Sequence, residues 1–74
     1  MEDHVYRVIE VVGTSEKSIS QAIDRAVSRA ATTLRHLGWF EVVQIRGVIG
    51  TGKVQQYQVT VKVGFTLEET SASD

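Results

Sequence analysis

Leu37-Gly38-Trp39-Phe40 marks the point where one hydrophobic period gives way to another, and it holds the only tryptophan of the chain. Upstream, Ile19, Ala22, Ile23, Ala26, Val27, Ala30, Leu34 and Leu37 recur at three and four residues, while Asp24, Arg25, Ser28, Arg29, Thr32 and Arg35 fall between them. That spacing predicts an amphipathic helix of roughly 20 residues with a narrow apolar stripe. Ser18 followed three residues later by Gln21 has the capping-box spacing, with Thr14 or Ser15 as alternative caps. Arg35 and His36 then fall in the last turn, where positive or polar groups suit the helix dipole, and Gly38 is the expected stop. The alanines at 22, 26 and 30 let a sheet approach closely and wrap around the helix.

Downstream the period becomes two. Phe40 to Ile49 is rich in β-branched residues but mixes apolar and polar side chains on both parities. Gly50-Thr51-Gly52-Lys53 suits a short hairpin loop. From Val54 to Leu67 the alternation is clean: Tyr57, Val59, Val61, Val63, Phe65 and Leu67 share one parity, and Gln58, Thr60, Lys62, Gly64 and Thr66 the other. The apolar row is expected to pack on the helix, so Gln58 and Thr66 project from the opposite face. Ahead of the helix, Val5 to Val12 reads as a strand that is largely apolar on both parities, with Gly13-Thr14-Ser15 as the turn. Two apolar faces imply that something covers the second one.

The order β-α-β-β, with a right-handed crossover that leaves one place for the returning hairpin strand, gives an α+β fold. Its three-stranded antiparallel sheet, in the order 1-3-2, wraps around one helix. Residues 1–68 form a single domain on this reading and 69–74 a flexible acidic tail. Having only 74 residues, the chain supports one small core, and with no cysteine it has no disulfide to strengthen it. Association between copies remains as a source of stability, and the outer face of the sheet is where symmetric copies would meet.

Eight basic against nine acidic residues leave no cationic footprint for nucleic acid. No stretch reaches the ~20 apolar residues of a membrane span and the first residues lack the pattern of a signal peptide, so the expected residence is cytoplasmic. No nucleophile elbow accompanies the serines, and His4 and His36 share no ligand spacing with each other or with a cysteine. Neither a catalytic residue nor a metal site is therefore expected. Gly50-Thr51-Gly52-Lys53 lacks the spacing and the following helix of a phosphate loop.

Trp39 admits two readings: a plug at the end of the core, or a face on which a flat ring stacks. Gln58 favours the second, because it places an amide that both donates and accepts on the sheet's outer face. Arg46 is a surface cation or a phosphate contact, and the residues alone do not separate these.

Val11-Val12-Gly13-Thr14-Ser15, the alanine-rich helix, Leu37-Gly38-Trp39-Phe40-Glu41-Val42, Ile45-Arg46-Gly47, Tyr57-Gln58-Val59 and Val63-Gly64-Phe65-Thr66-Leu67-Glu68 together resemble the dodecins, in the same order and over Val5 to Glu68. The resemblance implies a hollow homododecamer that binds flavin, FMN or riboflavin, without being an enzyme. It implies that Trp39 stacks on the isoalloxazine together with its copy across a two-fold axis, that Gln58 bonds the polar edge of the ring, and that Arg46 lies near the flavin phosphate. Some members also bind coenzyme A at the three-fold axes. Thr66 stands where bacterial members commonly have arginine, Gly38 where aspartate or asparagine is usual, and Val48 and Gln56 where histidine is frequent. Without that arginine a charge-assisted phosphate contact is lost, which bears on FMN more than on riboflavin. The function implied is storage and photoprotection of flavin; the alternatives are a flavin-dependent reductase, for which no Gly-x-Gly-x-x-Gly fingerprint is present, and a purely structural oligomeric shell.

Overall fold

In the computed structural model, which describes residues 5–67, the elements follow the order β1 (Tyr6–Ser15), α1 (Ile19–Ala31), β2 (Leu37–Ile49) and β3 (Val54–Thr66). They form one antiparallel three-stranded sheet in the order β1-β3-β2, as the sequence predicts. β3 is central because the hairpin returns it into the gap that the crossover leaves. Its apolar row then carries the core: Val59, Val61 and Val63 are buried against Ala22 and Ala26, with Ile9, Val11, Ile23 and Leu37 closing the sides. The expected acidic tail lies outside the described residues. No helix among the described residues is long and apolar enough to cross a membrane.

The helix is shorter than its hydrophobic period. It ends at Ala31 with Thr32 as C-cap, so Leu34, Arg35 and His36 are not helical and Gly38 is not its stop. Two β-branched threonines in a row weaken the last turn, and the Thr32 hydroxyl bonds back to the Arg29 carbonyl at 2.7 Å. The Leu34 amide still reaches the Ala30 carbonyl at 3.0 Å. The chain then reverses through His36, which takes the left-handed conformation at φ 61°. Leu37 does join the core, but as the first residue of β2, so its match to the helical period is coincidental.

At the other end of the helix Ser18 is the N-cap, accepting from the Gln21 amide at 3.0 Å. The Gln21 side chain does not close the box itself; its Oε1 accepts from the hydroxyl of buried Ser15 at 2.6 Å, and that hydroxyl accepts from the amides of Lys17 and Ser18. Ser15 can do this because β1 runs three residues past its expected end. Gly13-Thr14-Ser15 is strand, not turn, and the reversal falls on Glu16 and Lys17. Gly13 is required for close approach: a Cβ there would run into the Ala22 carbonyl and lie 2.9 Å from the Ala26 Cβ.

β2 explains its own mixed parity. Its register against β3 slips between Leu37 and Trp39, between Val42 and Gln44, and between Val48 and Ile49. The middle slip turns the alternation over, so that Phe40, Val42 and Ile45 lie opposite the inner row of β3, and Trp39, Glu41, Gln44 and Arg46 opposite the outer row. The strand also begins at Leu37, three residues before its expected start. The helix lies over β1 and β3 and barely touches β2. Phe40 and Ile45 therefore remain 50% and 53% exposed on the same face as the core.

Candidate functional site

The outer face of the sheet is built from rows of cross-strand neighbours. Val8, Gly64 and Trp39 make one row; Glu10, Lys62 and Glu41 the next; Val12, Thr60 and Gln44 a third; Thr14, Gln58 and Arg46 a fourth. Trp39 projects onto this face because the bulge at Gly38 sets its phase. Its indole then folds over the central strand and rests on Gly64, where a Cβ would fall within the ring, 2.8 Å from Cδ2. Only glycine leaves that space. The ring is not core: 41% of the residue stays exposed. Tyr6 stands beside it with ring centroids 6.1 Å apart and planes tilted by 60°. Thr66, one same-face position beyond Gly64, directs its hydroxyl to the His36 carbonyl at 3.5 Å.

Gln58 and Arg46 are direct partners across β2 and β3 on that same face. The Gln58 amide donates to Gln56 Oε1 at 3.0 Å, which uses one of its several hydrogen-bonding positions and holds its orientation. Six residues of β3 separate Gln58 from Gly64, a span of about 20 Å at the rise of a strand. The four residues singled out from sequence thus fall into two pairs on one face: Trp39 with Thr66, and Gln58 with Arg46. No single flat ring touches both pairs within one chain.

Two contributors were missed by reading the sequence. Gly64 carries the indole, and its signal was available: a glycine inside an otherwise alternating strand marks a close approach. Tyr6 sits sixty residues before Thr66, its Cα partner, and nothing in its own neighbourhood announces that pairing. Among the described residues, no group of three or more histidines or acidic residues is placed to hold a metal ion.

The geometry has counterparts. The dodecin family model matches residues 5–68. The chain belongs to the dodecin family. It is 58% identical over 66 residues to the dodecin of Thermus thermophilus, an alignment covering 89% of this chain and 96% of that protein. A crystal structure of a Thermus thermophilus protein superposes with a TM-score of 0.88 at 56% identity, over 92% of this chain and all of the other. The dodecin of Streptomyces coelicolor gives the same TM-score of 0.88 and 56% identity, with 95% of this chain and 100% of that one covered. These likenesses extend through both pairs of outer-face residues, so the two-part site lies within the portion of the chain shared with other dodecins.

Proposed function

We propose that this dodecin binds free flavin by stacking the isoalloxazine on Trp39 and bonding its polar edge through Gln58, in a site completed by a second copy. The observation that carries the reading is the indole itself, laid across Gly64 with a large part of its surface open. A sealed tryptophan would have no face to offer; a fully mobile one would have no fixed plane. Family membership supports the same reading.

The residues fit such a ligand. A flat, apolar, polarisable face suits the tricyclic ring, a contact worth ~0.5–1.5 kcal/mol beyond burial. The Gln58 amide matches a ring edge that alternates donors and acceptors, and Arg46 beside it suits a phosphate. The ~20 Å between the two pairs supports assembly, because a second chain must bring its Gln58 and Arg46 to the first chain's Trp39. The uncovered inner side of β2, with Phe40 and Ile45 half exposed, supports it independently. A homododecamer is the closed form proposed, with coenzyme A as a further ligand at its three-fold axes.

The proposed role is a cytoplasmic reservoir without catalytic turnover. Flavin bound there supplies light absorption, and Trp39 quenches it by giving an electron to the excited ring and taking it back. Thr66 offers a hydroxyl already turned toward the His36 carbonyl, and no charge, so riboflavin should bind at least as well as FMN. Titration of the full chain with riboflavin and with FMN, followed by flavin fluorescence, tests this. Quenching that is strong in the wild type and lost in Trp39→Ala is the expected result; equal quenching in both would refute the stacking.

A further inference from the structure

Tyr6 and Trp39 form a ring pair for which stacking alone gives no use. Their centroids lie 6.1 Å apart and Tyr6 is 47% exposed on an edge strand. The other tyrosine, Tyr57, is the partner of Ser15 and Gly47 on the inner side of the sheet, near the hairpin. Tyr6 is thus the oxidisable phenol at the indole.

We propose that Tyr6 is a secondary electron donor that restores Trp39 after its oxidation by photoexcited flavin, an inference that rests on the stacking reading above. An indole that has given up an electron is a radical cation, open to attack by water and dioxygen for as long as it survives. The chain has one tryptophan, so each such loss removes a stacking face permanently. A phenol that releases its proton together with its electron is easier to oxidise near neutral pH than an indole. The hop from Tyr6 to Trp39 therefore runs downhill, across rings near enough to touch at their edges. Tyr6 lies on the edge strand, at the rim of the sheet, where the phenolic proton can pass to water.

The electrons and protons balance without a further reagent. Trp39 gives one electron to the excited ring. Tyr6 gives one electron to the indole and one proton to water, leaving a neutral phenoxyl radical and an intact Trp39. When the ring returns its electron, Tyr6 accepts it with a proton from water and the O–H bond re-forms. The net change is the loss of the absorbed light as heat.

Tyr6→Phe keeps the ring and removes only the oxidisable hydroxyl. Wild type, Tyr6→Phe and a Tyr57→Phe control are first titrated with riboflavin to match bound ligand and quenching, then illuminated with blue light in air. Oxidised Trp39 is measured by peptide mass spectrometry, and the phenoxyl radical by transient absorption. The expected result is several-fold faster Trp39 oxidation in Tyr6→Phe than in wild type or Tyr57→Phe, with a phenoxyl signal in wild type that Tyr6→Phe lacks. Equal oxidation in all three, with no phenoxyl signal, overturns the relay while leaving the stacking intact. A wild type that fails to quench riboflavin before illumination removes the stacking reading and the relay together.

Discussion

The two faces of β3 are made by alternate residues of one strand, yet they are finished in different ways. On the inner face Val59 and Val61 are completely buried by the chain's own helix. On the outer face the same strand presents Gln58, Thr60, Lys62, Gly64 and Thr66, and the one large ring laid across it comes from β2. The inner face is closed within the chain because a helix with alanines at 22, 26 and 30 fits tightly on it. The outer face has no such cover, and its aromatic end and its amide end stand too far apart to serve one ligand. A single chain thus closes one face of its central strand with its own helix and leaves the other face without such a cover.

Four substitutions can break or sharpen that contrast. The largest effect is expected from Gly13→Val, whose side chain meets the Ala22 carbonyl of the helix backbone. Backbone cannot yield as a side chain can, so a loss of ~3 kcal/mol is expected in urea unfolding. Val61→Ala, on the closed face, should cost about 2 kcal/mol through lost burial and a residual cavity, read in the same way. Gly64→Ala acts on the open face. Its methyl displaces the indole, so riboflavin affinity should fall about tenfold, ~1.4 kcal/mol, by fluorescence titration, while urea stability changes less than for Val61→Ala. A Gly64→Ala protein that binds riboflavin as well as wild type would show that the indole's resting place is irrelevant to the ligand. The smallest effect is expected from His36→Gly. It relieves the positive φ of a residue with a Cβ, offset by loss of the imidazole's own interactions and by the greater freedom of glycine in the unfolded chain, for a net change of less than about 1 kcal/mol in thermal unfolding.

The closed face was the more legible of the two. The alternation of β3 and the alanine stripe depend on local periods, and both survive in the structure, although the strand ends at Thr66 and leaves Leu67, the last of the expected apolar row, outside it and half exposed. The ends of elements were less so. Leu34 and Leu37 continue the helical period beyond Ala31, yet neither is helical, and Leu37 reaches the core from the first position of β2, where an apolar residue can match the helix's spacing by chance. Gly13 looked like punctuation, whereas it is the place where helix and strand touch. The parity of β2 was opaque for a sharper reason: a bulge inverts the alternation midway, and a bulge is defined by the partner strand.

The order of elements, the central position of β3, the face on which Gln58 and Thr66 project and the membership of Trp39, Gln58 and Arg46 in a familiar pattern were all determined by the sequence alone. These follow from period, connectivity and residue type, which are properties of neighbouring residues. Only the tertiary structure decided that the indole lies on Gly64 beside Tyr6, and that it is separated from Gln58 by about half the length of β3. Those relations join residues tens of positions apart through strand register, and register is an outcome of folding that no single stretch of chain encodes.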